Sequence, residues 1–368
     1  MKKRTTDDVG RALADLREIL LKRMREHGIA STGVPDLTAM RRDHANLKDY
    51  VFYNPSLTLI VQGATRSDLG GREYVYGEGD AMLAATDVPA ILRYSDISPK
   101  KPFLSVTVDF DRHRIGTDLE RAGKAFPLTK KLRNRPRNAV EIRKADYPTV
   151  DFFRRFAGLL GKTDWADLFL PAFRAELRAL LLTGPFGDAI KAVTSKGTPT
   201  NKMAQAMSVI RAGREGQVDM DETADLVGAD RNRFNRDFRE VTNMFPGVYL
   251  KYCCFFEARR LMFEEGKDVN TASRMVGFES SSQFNKEYKK RYGVPPQRDV
   301  NRMRLERDDP ETANARPFPE EEDDDEEFLY GDGSGDGFPD ADEGTEDGED
   351  PGSDSEYDSD EDDEWENH

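Results

Sequence analysis

Two stretches of this chain are near-copies of each other, and few folds accommodate such a pair. Residues 223–246 read TADLVGADRNRFNRDFREVTNMFP, and residues 272–296 read ASRMVGFESSSQFNKEYKKRYGVPP. From Phe234 onward they align at a fixed offset of 50, so that Phe234-Asn235-Arg236-Asp237-Phe238-Arg239 stands against Phe284-Asn285-Lys286-Glu287-Tyr288-Lys289. Asn243 falls opposite Gly293, and Pro246 opposite Pro296. Upstream, Leu226-Val227-Gly228 matches Met275-Val276-Gly277 at an offset of 49, which puts one extra residue into the second turn. Each copy predicts a short helix, a glycine turn and a second helix, the layout of a helix-turn-helix unit.

The second helix of each copy divides into two faces. Phe234 and Phe238, like Phe284 and Tyr288, are four residues apart and share one side, which is expected to face a core. The other side then carries Arg231, Asn232, Asn235, Arg236 and Arg239 in the first copy, and Ser281, Ser282, Asn285, Lys286 and Lys289 in the second. Asn suits an adenine edge, and Arg or Lys suits guanine or a phosphate, so these ten are the candidate DNA-binding residues. Asp230 and Ser280 sit at the N-cap positions. A single basic helix face is usually just a solvated surface. Two copies with matching Asn-Arg and Asn-Lys pairs make that reading much weaker, and linked units would read successive major-groove segments.

Charge agrees once the chain is divided. Residues 308–368 hold 29 acids and one base, Arg316, whereas 1–307 hold 54 bases and 41 acids. The net of +13 on the body suits a polyanion partner. The tail is too polar to offset ordering entropy, and disorder is expected there. A polyacid beside a basic face offers competition with DNA, against the more usual reading as a solvated tail. Titrating DNA with and without residues 308–368 at several salt concentrations separates the two.

The remainder supplies a β-rich domain and a helical segment. Val9, Leu13, Leu16, Leu20 and Met24 share a helical face over 7–27, with Gly28 as the stop. Short β runs at 57–61, 72–76, 81–85, 90–94 and 103–110, with a tight turn at Gly70-Gly71, predict a small antiparallel barrel or sandwich. Its interior is equally compatible with a small ligand or with packed side chains. Residues 148–192 are helical, with Phe152, Phe153, Phe156, Leu159 and Leu160, then Leu168, Phe173, Leu177, Leu180 and Leu181, at core or dimer-face spacing. Val248–Glu265 is an apolar helix between the copies.

Several classes are excluded. His27, His44, His113 and His368 are scattered and none lies in a β run, so neither a metal site nor a cofactor is expected. No nucleophile elbow, phosphate loop or dinucleotide fingerprint occurs, and no catalytic residue is assigned. Cys253 and Cys254 are adjacent and suit buried packing better than a bridge. Neither a signal peptide nor a membrane span is expected, which makes the cytoplasm the default.

The stretch 201–300 resembles the AraC/XylS class of bacterial transcription regulators. Val276-Gly277-Phe278-Glu279-Ser280, Phe284, Tyr288-Lys289 and Tyr292-Gly293-Val294-Pro295-Pro296 carry its most specific signature. Further upstream, Tyr53-Asn54-Pro55-Ser56-Leu57, Val61-Gln62-Gly63, Leu69-Gly70-Gly71, Asp87-Val88-Pro89 and Pro102-Phe103-Leu104 follow the order of that family's AraC_N subgroup. Glu176 and Leu181-Leu182-Thr183-Gly184-Pro185-Phe186-Gly187 resemble its helical connector. Cys254, Ala272-Ser273 and Asn243 depart from the usual residues.

The resemblance implies an α+β multidomain chain: an N-terminal helix over 1–30, a cupin-like effector barrel over 31–145 and a helical connector, or dimerisation segment, over 146–197. An all-α double helix-turn-helix domain over 198–305 and the disordered acidic tail over 306–368 complete it. Promoter DNA is the implied partner, with a small-molecule effector of unknown identity, RNA polymerase and a second copy of the chain as further partners. The expected function is sequence-specific transcription regulation, not enzymatic, with the protein in the bacterial nucleoid when bound. The alternatives are an architectural DNA binder and a cupin-type enzyme with an appended DNA-binding domain. By position, the first unit, with Asn232, Asn235 and Arg236, is expected to supply more base discrimination. The second is expected to lean on phosphate through Lys286, Lys289 and Lys290.

Overall fold

A computed structural model describes residues 6–24, 28–31, 34–45, 48–161 and 163–308. The acidic stretch from residue 309 onward lies outside the described residues, and so do His27 and His368.

Helix α1 (Thr6–Arg23) opens the chain and buries Leu13, Leu16 and Leu20, as the 3.6-residue spacing requires. It packs on α4 (Tyr147–Ala157) and on strand β4 (Ser56–Gln62). Among the described residues, ten strands follow in two antiparallel sheets. The larger contains β1 (Gly28–Ser31), β2 (Leu37–Arg42), β4, β7 (Asp80–Ala84), β9 (Phe103–Asp109) and β10 (Val140–Lys144), in the order β1-β2-β9-β4-β7-β10. The smaller contains β3 (Lys48–Tyr53), β5 (Ala64–Leu69), β6 (Arg72–Gly77) and β8 (Val88–Ser95), in the order β3-β8-β5-β6.

The expected β runs map onto β4, β6, β7, β8 and β9. Their closure differs from a barrel, since the strands form two separate sheets. A register shift between Ile60 and Gln62 lets the chain leave the large sheet at Gly63 and enter the small one as β5. The Gly70-Gly71 turn joins β5 to β6 with Leu69 paired to Arg72, both glycines in the left-handed region.

Strand β4 is buried along its whole length because both faces of the large sheet are covered. Leu57, Leu59 and Val61 face the helices, in one core with Phe152, Phe153 and Phe156. Ile60 points the other way, into a core shared with Tyr76, Tyr94 and Phe103. Hydroxyls meet between the sheets. Ser67 Oγ lies 2.6 Å from the Tyr76 hydroxyl, and the Tyr94 hydroxyl donates to Asp49 at 2.6 Å. Burial pushes the Tyr53, Tyr76 and Tyr94 phenols above their ordinary range.

Helices α2 (Arg112–Ala122), α3 (Lys130–Asn134), α5 (Thr163–Thr183) and α6 (Gly187–Thr194) complete the N-terminal half with α4. Most of the apolar positions expected over 148–192 are buried, but Leu168 on α5 is 76% exposed. The described residues from 199 to 308 form only helices and the turns between them. The helices are α7 (Pro199–Ala212), α8 (Met220–Leu226), α9 (Arg231–Thr242), α10 (Pro246–Glu264), α11 (Val269–Met275), α12 (Ser281–Tyr292) and α13 (Pro296–Asp308). Helix α13 runs three residues past the expected boundary at 305.

Candidate nucleic-acid interface

Both repeats fold as helix, turn, helix. Asp219 caps α8 by accepting from the Asp221 and Glu222 amides at 2.7 and 3.1 Å, and Asp268 caps α11 by accepting from Thr271 at 3.0 Å. The expected caps of the second helices are present. Asp230 accepts from the Arg233 amide at 2.9 Å, and Ser280 from the Gln283 amide at 3.3 Å. Gly228 (φ 63) and Gly277 (φ 100) make the turns.

Gly277 has a second reason to be glycine. A Cβ there would lie 2.3 Å from the Glu215 carbonyl oxygen, and the Glu215 amide donates to the Val276 carbonyl at 3.0 Å. The turn before α8 therefore rests directly on the turn of the second unit. Together with α10, which packs on α7, α9, α11 and α13, this contact fixes one unit against the other.

The expected inner faces are buried. Phe234, Phe238, Phe284 and Tyr288 are each 0% exposed. Of the ten candidate DNA-binding residues, Arg231, Asn232, Arg236, Arg239, Ser282, Lys286 and Lys289 are exposed, and Asn235, Ser281 and Asn285 are half-buried. Asp237 organises the first face from beneath. Its buried carboxylate accepts from Arg233 Nε at 3.4 Å and from Arg236 at 3.3 Å, restraining two guanidinium groups at the surface. Arg231 reaches Asp221 at 3.0 Å, and Arg239 lies over the Phe245 ring at 5.0 Å. On the second face, Asn285 donates to the Ser281 carbonyl at 2.7 Å. Ala272 and Ser273 are fully buried, so the small residues at the start of the second unit pack closely.

The residue periodicity gave no reason to single out Arg233, Asp237, Arg259 or Asp299. Only the four-residue spacing of Arg233 and Asp237 signalled a pair. Asp299 is fully buried and accepts from Arg259 Nε at 2.7 Å, the Tyr288 hydroxyl at 2.7 Å and Arg302 Nη2 at 2.6 Å. A tyrosine at 288, where the first copy has Phe238, was the available clue, because a buried hydroxyl needs a partner.

Cys253 and Cys254 are free and buried on α10. Burial pushes both thiols up, Cys254 to about 12. A thiol reagent at neutral pH is therefore expected to label neither until the protein unfolds. Rapid labelling of folded protein, read by mass spectrometry, would show that these thiols are reactive after all.

A cavity of about 550 Å³ lies where the sheet domain meets the end of α7, helix α10 and the second unit, with Phe52, Arg211, Arg214, Cys253, Arg260 and Met275 among its walls. No group of His, Cys, Asp or Glu with metal-binding placement occurs among the described residues. No helix there is long and apolar enough to cross a membrane.

The family profile described as the AraC-type transcriptional regulator N-terminus matches residues 33–189, and a helix-turn-helix domain profile matches residues 223–302. The two matches together span nearly two thirds of the chain. The chain belongs to the AraC family of transcriptional regulators. It is similar to the HTH-type transcriptional regulator GbdR of Pseudomonas aeruginosa, with 27% identity over 100 residues, 27% of each protein. It is also similar to the regulator ArgR of the same organism, with 28% identity over 108 residues, 29% of this chain and 33% of that one. The matched stretch thus spans a third or less of these relatives. Among solved structures, ToxT of Vibrio cholerae superposes with a TM-score of 0.47 at 12% identity, covering 72% of this chain and 97% of ToxT. The AraC-like activator CuxR gives a TM-score of 0.26 at 13% identity, over 57% and 72%.

Proposed function

We propose that this AraC-family protein is a sequence-specific transcription regulator that reads promoter DNA with α9 and α12 under control of its N-terminal domain. The observation that carries this is the doubled unit. Both second helices carry a side-chain N-cap, bury an aromatic pair at equivalent positions and present an Asn beside a cation. Asn232, Asn235 and Arg236 are the base-reading group of the first unit, with Ser281, Ser282, Asn285 and Lys286 in the second. Arg231, Arg239 and Lys289 sit at their margins. The reading assigns no chemistry of bond making or breaking to the protein. It places the protein in the bacterial cytoplasm, on the nucleoid when bound.

A small-molecule effector at the N-terminal domain, RNA polymerase and a second copy of the chain complete the proposed partners. A screen of small ligands for a shift in thermal unfolding of the full chain tests the effector. In domain terms, residues 31–145 would bear the effector, 146–197 connect and 198–305 bind DNA.

Arg236→Ala and Lys286→Ala are each expected to lower the preference for the gene's upstream region over random duplex by about 10- to 100-fold, the worth of one good base contact. Equal preference in parent and both variants, measured by competition gel shift, would remove the recognition-helix assignment. Footprinting on the same region distinguishes this reading from an architectural DNA binder, which protects no preferred sequence.

A further inference from the structure

The two units end on equivalent residues that are not equally employed. Asn243 and Gly293 are the left-handed C-caps of α9 and α12, with φ of 62° and 74°. Their amides donate to Arg239 and Lys289 carbonyls at 2.8 and 2.7 Å. Glycine adopts that backbone freely and asparagine tolerates it, so the cap alone does not call for an asparagine. Steric room does not explain the difference either, since a Cβ at Gly293 would meet nothing within 4 Å.

The Asn243 side chain is engaged across the boundary with the sheet domain. Its Oδ1 accepts from Asn138 Nδ2 at 3.3 Å, and its Nδ2 donates to the Leu69 carbonyl at 3.3 Å. Asn138 is itself held, because its Oδ1 accepts from the Tyr74 hydroxyl at 3.1 Å and the Val140 amide at 2.9 Å. Beside this pair the Ala139 amide donates to the Val241 carbonyl at 2.8 Å. The β5–β6 turn closes over the same spot. A Cβ on Gly70 would lie 2.7 Å from Met244 Cγ and 3.0 Å from the Thr242 and Asn243 carbonyl oxygens. Helix α12 meets the sheet domain differently, with the Tyr292 ring edge-to-face with Tyr50 at 4.6 Å and the Arg291 guanidinium 5.4 Å from the Tyr50 ring centroid.

We propose that Asn243 is a positioning residue that latches the first DNA-reading helix to the N-terminal sheet domain, so that the setting of α9 follows the state of the β5–β6 hairpin. The inference rests on the reading of α9 as a DNA-contacting helix and adds the route by which the N-terminal domain reaches it. The latch is directional: two side-chain hydrogen bonds and one backbone bond tie the C-terminal end of α9, while its exposed N-terminal residues stay available to a groove.

Hydrogen exchange of the Ala139 amide in the full chain reports the latch without any DNA. Asn243→Gly keeps the left-handed cap and removes both side-chain bonds. Asn138→Ala removes the partner from the other side. Each should speed Ala139 exchange about tenfold, and the double variant should be no faster than the faster single, as residues of one network behave. Gly293→Asn should leave Ala139 at the parent rate. Parent-like exchange in Asn243→Gly, or multiplicative effects in the double variant, would overturn the latch.

The second arm adds a duplex covering the gene's upstream region, with binding followed by anisotropy. Coupling is reciprocal, so DNA should change Ala139 exchange in the parent and not in Asn243→Gly. Bound DNA that leaves the parent's Ala139 rate untouched would also overturn the proposal. Absence of binding by the parent would instead sink the reading of α9 as a reader, leaving the latch to be decided by the DNA-free rates.

Discussion

Asp299→Ala should destabilise the protein by about 3–5 kcal/mol, because it leaves a buried guanidinium with its charge uncompensated. Arg259 is 9% exposed and has the fully buried Asp299 carboxylate as its ion-pair partner. Beyond that pair it has a long hydrogen bond from Nη1 to the Tyr50 carbonyl at 3.4 Å, and the Tyr50 and Tyr292 rings, whose centroids lie 5.6 and 5.2 Å from the guanidinium carbon. Ring faces stabilise a cation by roughly 1–2 kcal/mol, too little to replace a carboxylate in a dry site. The same substitution strips the Tyr288 hydroxyl of its acceptor and adds a second unsatisfied group.

Asn at 299 should recover only part of the loss, since it restores an acceptor without the charge. Arg302→Ala should cost about 1 kcal/mol or less, because that partner stands nearer solvent and its pairing is more fully screened. Urea unfolding of the full chain measures all three. A loss under about 1 kcal/mol for Asp299→Ala would mean that Arg259 finds another partner or reaches water.

DNA binding should fall steeply with salt, for a reason that the surface of the two units supplies. Arg231, Arg236 and Arg239 on α9, with Lys286 and Lys289 on α12, are the exposed cations among the candidate DNA-binding residues. If each neutralises one phosphate, the logarithm of affinity should decline against the logarithm of salt with a slope of about −4.5. That slope corresponds to roughly a 500-fold loss between 50 and 200 mM salt. Replacing Arg239 and Lys289 together by Ala should reduce the slope by about 1.8 while leaving sequence preference nearly intact. Arg236 and Lys286 should cost a similar amount of slope when replaced by Ala and, unlike Arg239 and Lys289, should lose sequence preference as well. A slope near zero in the parent would remove these faces from any DNA contact.

The repeat itself explains why Asp299 escaped a reading based on periodicity. Carried forward at the same offset of 50, Asp299 stands opposite Tyr249. In the first unit Phe238 packs edge-on against the Tyr249 ring at 5.5 Å, and the Tyr249 hydroxyl donates to the Asp87 carbonyl at 3.0 Å. In the second unit Tyr288 donates to Asp299 instead. One copy places an aromatic pair where the other places a hydroxyl and a carboxylate. Helical spacing predicts that both positions point inward, but not which chemistry meets there.

What local order dictates was legible beforehand. The 3.6-residue spacing placed Phe234, Phe238, Phe284 and Tyr288 inside, and Asp230 and Ser280 capped their helices because a short acceptor side chain satisfies an otherwise open amide. Gly70-Gly71 made a two-residue hairpin because only such residues accept its backbone cheaply. The ten candidate DNA-binding residues were named from the same arithmetic, and all ten are exposed or half-buried. Strands β1, β2, β3, β5 and β10 were not anticipated: β2, β3 and β10 pair with strands far along the chain, β5 is largely polar, and β1 is only four residues long.

The tertiary structure alone decided how the parts bear on one another. It set two sheets in place of a closed barrel, seated Gly277 on the Glu215 carbonyl, and joined Asn243 to Leu69 and Asn138 over separations of 174 and 105 residues. Periodicity and capping act over a few residues and are written in consecutive letters. Contacts between distant segments depend on how whole faces stack, and only the folded chain fixes which faces meet.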